Sequence, residues 1–284
     1  MPGLPPGWRR FAEGRLLLVV RQELAAAARA AGLLSAAAAE GELGAPAAAR
    51  GRAATARLTL PGVEFEILLR PLRHGGLLGP LLGRTLLGTR RPLGELAVAE
   101  RLRAAGAPVP CPALVAARRV AGPFWHAAVG TRYEVGTRDV LAFLETHPGR
   151  ARLLRAATAA GAAVRRFHDA GGCHPDLHLK NLLLRESDGE PEVLVIDLDR
   201  ARVLDWVGPK ERMAELMRLH RSLRKRGVLE QVGRRGVARF FGAYVAGDRS
   251  LRRALRSRLR RERIRNALHA VFYRPAGRGQ PPAR

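Results

Sequence analysis

The chain of 284 residues contains little cysteine, few aromatic residues and no apolar run long enough to cross a membrane. Its two cysteines, Cys111 and Cys173, are too few for a disulfide framework or for a zinc site, which usually needs four ligands. The aliphatic run at residues 16–20 is far shorter than the ~20 residues that span a bilayer, and we expect no secretion signal. With aromatics at 5%, the core must be built mainly from Leu, Ala and Val.

Acidic residues are also scarce relative to basic ones. Lys and Arg total 50 against 25 Asp and Glu, which gives a formal net charge of +25. Two explanations remain open. A genome rich in G and C inflates Arg, Ala, Gly and Pro together, and all four are abundant here. An anionic partner such as nucleic acid, acidic lipid or a phosphorylated glycan would favour the same charge.

The apolar pattern divides the chain into four parts. Residues 1–50 form an N-terminal extension, with a strand at 15–20 and an Ala-rich helix at 23–33. Residues 51–135 predict a small antiparallel sheet. A hairpin turns at Pro61-Gly62, and two further strands follow at 109–120 and 125–134. One helix, at 92–104, interrupts these strands.

From residue 136 to 272 the chain turns helical, with helices predicted at 138–146, 150–170, 211–226, 229–246 and 250–272. Residues 273–284 are rich in Pro, Gly and Arg and predict a disordered tail. A β-rich first half followed by a helical second half predicts an α+β fold with two lobes, joined near residues 134–136.

Chemistry concentrates in two segments of the helical half. His174, Asp176 and Asn181 fit the pattern H-x-D-x-x-x-x-N, and an apolar strand follows them. A second apolar strand, at residues 193–196, ends on Asp197. Together they match the catalytic loop and the metal-binding loop of protein-kinase-like enzymes, and so predict a bilobal protein-kinase-like fold.

The residue types suit phosphoryl transfer from ATP. Mg²⁺ prefers hard oxygen ligands, which Asn181 and Asp197 would supply from the ends of two adjacent strands. Asp176 would accept a hydrogen bond from the acceptor hydroxyl and orient it towards the γ-phosphate. His174 would brace the loop by hydrogen bonds.

The sheet should supply a cation that grips ATP and a Glu that orients this cation. No lysine precedes Lys180, so the candidate is Arg70, with Glu95 as its partner and Glu100 as the alternative. The segment that begins at Gly51 occupies the position of a phosphate-covering loop, although it is poor in glycine. Lys180 lies next to Asn181, where it would contact a phosphate or remain a solvated loop residue.

Several segments also resemble the family of lipopolysaccharide-core sugar kinases, which includes Kdo kinases and heptose kinases. Residues 196–200 read I-D-L-D-R, similar to the I-D-F-D-R element of that family. The other similar segments are residues 69–79, 107–112, 167–177 and 212–223. The resemblance extends over residues 51–225 and supports Arg70 in the place of the kinase lysine.

The resemblance implies ATP- and Mg²⁺-dependent phosphorylation of a Kdo hydroxyl on Kdo-lipid A, a step in lipopolysaccharide biosynthesis. It implies a cytoplasmic enzyme held peripherally on the inner face of the inner membrane of a Gram-negative cell. Basic residues near an anionic leaflet contribute ~1 kcal/mol each, and residues 251–265 are either such a contact or an ordinary solvated helix. No specific nucleic acid partner is expected.

The identity of the acceptor stays open at this point. The family usually has Asn at the position of His178 and His at that of Lys180, and the form D-L-H-x-x-N also occurs in aminoglycoside and choline kinases. A small-molecule phosphotransferase is therefore an alternative. A catalytically dead, basic kinase-like scaffold is another, against which the intact set of Asp176, Asn181 and Asp197 argues.

Overall fold

The computed structural model describes residues 4–44, 55–73, 83–186 and 189–272, with side chains up to residue 260. The predicted phosphate-covering segment at Gly51 and the predicted tail at 273–284 lie outside these residues. Among the helices of the described ranges, none is long and apolar enough to cross a membrane.

The first half of the chain forms an antiparallel sheet with the order β1-β2-β6-β7-β4-β3, and β5 pairs with the first residues of β7. The strands are β1 (Trp8–Glu13), β2 (Leu16–Arg21), β3 (Ala56–Thr59), β4 (Glu66–Pro71), β5 (Leu86–Leu87), β6 (Pro112–Ala121) and β7 (Phe124–Arg132). The predicted hairpin corresponds to β3 and β4, and the two predicted later strands to β6 and β7. Each face of the sheet covers a cluster of buried Leu, Val and Ala side chains.

The N-terminal residues differ from the sequence prediction in two respects. β2 pairs with β6, so the predicted extension supplies two strands of this same sheet. The helix predicted at 23–33 is wrong in length: residues 22–24 form a 3₁₀ turn, and α1 (Ala25–Ala30) ends shortly before Gly32, which adopts a φ of +72°. Glycine favours this left-handed conformation, which commonly terminates helices. A further short helix, α2 (Ala36–Ala39), follows.

One long helix, α3 (Arg90–Ala104), packs against the sheet, and the described residues between 137 and 272 form a larger helical lobe. Its elements are β8 (Thr137–Asp139), α4 (Val140–Glu145), α5 (Arg150–Asp169), β9 (Gly172–Cys173), β10 (Leu182–Arg185), β11 (Glu192–Val195), β12 (Arg202–Val203), α6 (Pro209–Lys225), α7 (Leu229–Val245) and α8 (Arg249–Phe272). The α+β class is thus confirmed, as are the helices predicted at 150–170, 211–226 and 250–272. The helix predicted at 138–146 is shorter, because residues 137–139 form β8, and the one predicted at 229–246 is interrupted at Gly233, which adopts a φ of +61°.

The helical lobe is organised by the packing of α5 against α7. The two helices approach so closely at Gly161 that a Cβ atom there would lie 2.2 Å from the carbonyl oxygen of Phe240. The aromatic rings of Phe143, Phe167 and Tyr244 fill the buried space around this contact. This packing holds the C-terminal end of α5, and with it the loop that follows, in a fixed position.

The strand pair β10 and β11 brings the two polar segments together. The strands are antiparallel, and Leu182 lies opposite Val195. The start of β10 and the end of β11 therefore meet at the same edge. Asn181 immediately precedes the first strand and Asp197 follows the second, so both side chains are delivered to one place.

Candidate active site

A cleft of about 790 Å³ separates the sheet from the helical lobe. Apolar side chains from both lobes form its walls, among them Leu68, Val129, Leu183 and Ile196. Its polar lining residues include Arg70, Glu95, Asn181 and Asp197. A slot with apolar walls and a polar end is suited to a ligand that is flat at one end and charged at the other.

Arg70 and Glu95 form an ion pair between β4 and α3. Nη2 of Arg70 donates to Oε1 of Glu95 at 2.5 Å, and Nη1 lies 3.5 Å from Oδ1 of Asp197. Of the two candidate partners, the structure thus brings Glu95 to Arg70, whereas Glu100 hydrogen-bonds Arg21. The guanidinium therefore joins the sheet, the helix and the segment after β11.

The Glu95 carboxylate is buried at this junction. Burial raises its pKa, Arg70 opposes this effect, and the nearby carboxylates of Asp199 and Asp197 raise the pKa further. Among the residues that the structure describes, its second oxygen, Oε2, has no hydrogen-bond partner. Glu95, Asp197 and Asp199 thus place three carboxylates near Arg70.

A second arginine–carboxylate pair was not foreseen from the sequence. Arg91, in the first turn of α3, donates from Nε to Oδ1 of Asp199 at 2.6 Å and from Nη2 to the other carboxylate oxygen. Nη2 also donates to the carbonyl oxygen of Arg73 at 2.8 Å. The only sequence signal was the second acid of I-D-L-D-R, because arginines are too numerous in this chain to identify a partner.

His174 links the predicted catalytic loop, residues 174–181, to the strand that precedes Asp197. Its buried ring contacts the carbonyl oxygen of Ile196 through Nε2 at 3.1 Å, and the backbone N–H of Asp176 donates to Nδ1 at 3.2 Å. These contacts assign the tautomer with the proton on Nε2. The geometry is that of a brace, because both ring nitrogens bind backbone groups.

Glu215, on α6, supports the same loop from below. It accepts hydrogen bonds from the backbone N–H of His174 at 3.0 Å, from Cys173 Sγ at 3.0 Å and from His168 Nε2 at 3.1 Å. Burial alone would raise the pKa of Glu215, but these hydrogen bonds outweigh it and lower the pKa. Burial lowers the pKa of His168, whose Nδ1 lies 2.6 Å from the Tyr244 hydroxyl. The loop thus rests on a buried polar network.

Asn181 and Asp197 present oxygen atoms at the edge of the cleft. Nδ2 of Asn181 donates to the carbonyl oxygen of Asp176 at 2.9 Å, which leaves the amide oxygen for another ligand. Asp197 adopts left-handed backbone angles, φ 61° and ψ 63°. Such a conformation costs a non-glycine residue about 1–3 kcal/mol and is concentrated at functional sites. About half of the Asp197 side chain remains exposed to the cleft.

These oxygens fit Mg²⁺. Across the described chain, no group of three or more His, Cys, Asp or Glu side chains could hold a metal ion alone. Mg²⁺ is usually held by only one or two protein oxygens together with water and substrate phosphates. Asn181 and Asp197 supply such an incomplete set, which would be completed by a nucleotide in the cleft.

Asp176 lies five residues before Asn181, whose side chain donates to the Asp176 backbone carbonyl, and the Asp176 side chain is 76% exposed. Oδ2 lies 3.7 Å from His178 Nε2. Lys180 is exposed and lines a second cleft beside Asp176 rather than the cleft that contains Arg70. The carboxylate of Asp176 is therefore accessible to an acceptor that approaches from this side.

The chain is similar to known kinases over much of its length. The model of the lipopolysaccharide kinase (Kdo/WaaP) family matches residues 62–244. A 3-deoxy-D-manno-octulosonic acid kinase of Photobacterium damsela subsp. piscicida is 30% identical over 181 residues, which cover 62% of this chain and 70% of the relative. The kinase of the same name from Vibrio cholerae is 32% identical over 174 residues, which cover 60% and 68%.

A solved structure of WaaP in complex with acyl carrier protein is similar in fold, with a TM-score of 0.53 and 23% identity. The match covers 79% of this chain and 86% of the other. The bilobal, protein-kinase-like architecture predicted from the sequence is thereby confirmed.

Proposed function

Since the chain belongs to the lipopolysaccharide kinase (Kdo/WaaP) family and is a phosphotransferase that acts on a sugar hydroxyl, we propose that its acceptor is 3-deoxy-D-manno-octulosonic acid (Kdo). The donor is ATP, and the acceptor sugar is attached to lipid A in the inner core of lipopolysaccharide. The observation that supports this most strongly is that Asn181 and Asp197 line the same cleft, while Asn181 also donates to the backbone carbonyl of Asp176.

The purine ring of ATP would lie between the apolar walls of the cleft, with its phosphates towards Arg70. Glu95 holds the Arg70 guanidinium in place, and Asn181 and Asp197 would hold Mg²⁺. When bound, Mg²⁺ neutralises charge on the phosphates. The pairing of Arg70 with both Glu95 and Asp197 supports its role as the phosphate-gripping cation.

Asp176 would act on the acceptor. Its carboxylate accepts a hydrogen bond from the Kdo hydroxyl and takes up the proton as transfer proceeds. The hydroxyl oxygen forms the new bond to the γ-phosphorus, while the bond from that phosphorus to the oxygen of the leaving ADP breaks. His174 keeps Asp176 in position through the loop backbone.

The test is transfer of label from ATP to Kdo-lipid A in the presence of Mg²⁺. We expect Asp176→Ala to abolish transfer while MgATP still raises the melting temperature. Asp205→Ala is the matched control, because Asp205 is also an exposed aspartate but lines neither this cleft nor the one beside Asp176. Transfer at the wild-type rate by Asp176→Ala would refute its role. If label appears only in soluble sugars or amines, the chain is a small-molecule phosphotransferase instead.

We also propose that the enzyme is peripheral on the cytoplasmic face of the inner membrane. The net charge of +25 supports attraction to an anionic leaflet, and Trp206 is 71% exposed. Binding should be strong to vesicles with anionic lipid, weak to neutral vesicles, and reduced by salt, as measured by sedimentation. Equal binding to both kinds of vesicle would contradict it.

A further inference from the structure

A second cleft, of about 670 Å³, opens on the other side of Asp176. It lies between the catalytic loop and the C-terminal half of α6. Six basic residues line it: Lys180, Arg218, Arg221, Arg224, Lys225 and Arg226. Among the described residues of its lining, the single acid is Asp176 itself.

The placement of these cations follows from the geometry of α6. Arg218, Arg221, Ser222 and Lys225 are spaced i, i+3, i+4 and i+7, so they share one face of the helix. Ser222 Oγ accepts a hydrogen bond at 3.3 Å from the backbone N–H of Leu179. This bond anchors the basic face against the catalytic loop, three residues after Asp176.

The six cations of this cleft lack salt-bridge partners among the described residues. In the described part of the chain, no salt bridge engages any of the six cations, whereas many other arginines pair with carboxylates, for example Arg70, Arg91, Arg185 and Arg212. Burial lowers the pKa of the neighbouring His220, and Arg224 and Arg221 lower it further. A concave surface with uncompensated cations raises the local concentration of anions.

An abundance of arginine does not by itself explain the cluster. Favourable interaction with the helix dipole accounts for cations in the last turn of α6, such as Arg224 and Lys225. It does not account for Arg218, nearly two turns earlier, or for Lys180 on the opposite wall. The cations thus converge on the cleft from two separate elements of the fold.

We propose that this cleft binds the acceptor through two or more anionic groups, phosphates or carboxylates, that lie close to the hydroxyl presented to Asp176. The proposal rests on the proposed function. A single carboxylate or phosphate is satisfied by one bidentate arginine, so six cations around one cleft match a ligand with several such groups. The cleft would then select the hydroxyl by fixing the acceptor through its charges.

The kinetic test uses the triple variant Arg218→Ala/Arg221→Ala/Lys225→Ala. The matched control is Arg234→Ala/Arg235→Ala/Arg239→Ala, which removes the same charge from exposed positions on α7 that do not line this cleft. We expect the cleft variant to raise the KM for the acceptor at least tenfold, because each charge-assisted hydrogen bond contributes about tenfold or more. The KM for ATP of the cleft variant, and the KM for the acceptor of the α7 control, should change less than about twofold.

The source of the anion is decided with a deacylated, water-soluble acceptor that keeps its anionic groups. A tenfold increase in KM with this acceptor supports recognition of the saccharide. An increase confined to acceptor embedded in anionic vesicles, or an equal loss in the α7 control, would overturn the proposal in favour of attraction to the lipid surface. An unchanged KM in the cleft variant would also overturn it.

Calorimetry without ATP separates this proposal from the proposed function. If the wild-type chain binds the deacylated acceptor but transfers no phosphate to it, the proposed function is refuted and the proposal that the cleft binds anionic groups is kept. A chain that transfers phosphate with equal affinity for neutral and anionic acceptors refutes the cleft. If the triple variant fails to fold, Arg221→Glu should weaken binding more than Arg221→Lys, and equal affinities would count against the proposal.

Discussion

Removal of the Arg70 guanidinium should damage both stability and ATP use. In Arg70→Ala the Glu95 carboxylate, which is only 7% exposed, would lose its partner while Asp197 and Asp199 still repel it. Breaking a buried ion pair costs about 3–5 kcal/mol, and since a third of the Arg70 side chain is exposed we expect about 2 kcal/mol here. Loss of the proposed contact between Arg70 and the phosphates should lower kcat/KM for ATP about 100-fold.

Arg70→Lys distinguishes charge from shape. The two terminal nitrogens of Arg70 reach Glu95 and Asp197 separately, whereas a single ammonium cannot hold both in the same geometry. We therefore expect Arg70→Lys to retain most of the stability but to lose part of kcat/KM. Arg10→Ala, an exposed arginine on β1, is the control.

The measurements are urea denaturation midpoints and steady-state kinetics with ATP varied at saturating acceptor. Unchanged KM and kcat in Arg70→Ala would remove Arg70 from the site. An unchanged denaturation midpoint would refute the energetic argument from the buried carboxylate.

Three further predictions concern other parts of the molecule. Asp197→Ala should abolish the rise in melting temperature that MgATP produces; a full rise would exclude it as a metal ligand. Gly161→Ala should destabilise the fold by about 1–3 kcal/mol, because the added methyl group would collide with the Phe240 carbonyl. Gly242→Ala, where a Cβ atom would meet open space, should instead stabilise the fold by ~0.5–1 kcal/mol. Equal denaturation midpoints for the two variants would contradict this prediction. Acidification should destabilise the protein, because burial lowers the pKa of His168 in the folded state below its usual 6.5. At a pH between the folded and the unfolded pKa, the unfolded chain binds a proton at His168 and the folded chain does not, so this contribution to the free energy of unfolding is complete above about pH 6.5 and falls below it by at most ~1.4 kcal/mol per pH unit. A pH dependence of stability that is unchanged in His168→Gln would refute the assignment.

The site elements that were predictable from the sequence are those with fixed spacing along the chain. Asp176 and Asn181 lie in one loop, and Asp197 ends the strand that pairs next to it, so local patterns sufficed to bring them together. Arg70 was identified because a strand end needed a cation and no lysine was available. Their catalytic roles remain predictions.

The features that the sequence did not reveal depend on long-range contacts. Arg91 pairs with Asp199, which is 108 positions away in the chain. In a chain with so many arginines, the sequence does not indicate which carboxylate a given arginine contacts. Strand β1 was missed because it is an edge strand with mostly exposed residues, so the alternation of apolar residues is absent. The helix at 23–33 was predicted too long because alanine favours helix at every position and gives no terminus.

The two arginine pairs at α3 have a consequence for control of the enzyme. In regulated protein kinases the helix that bears the orienting Glu can move away from the site, and this movement switches activity off. Here Glu95 fastens α3 to the sheet, and Arg91 fastens the same helix to Asp199 in the other lobe. We expect an enzyme that is always on: treatment with a phosphatase should leave its rate unchanged, and its output should follow the supply of acceptor and ATP.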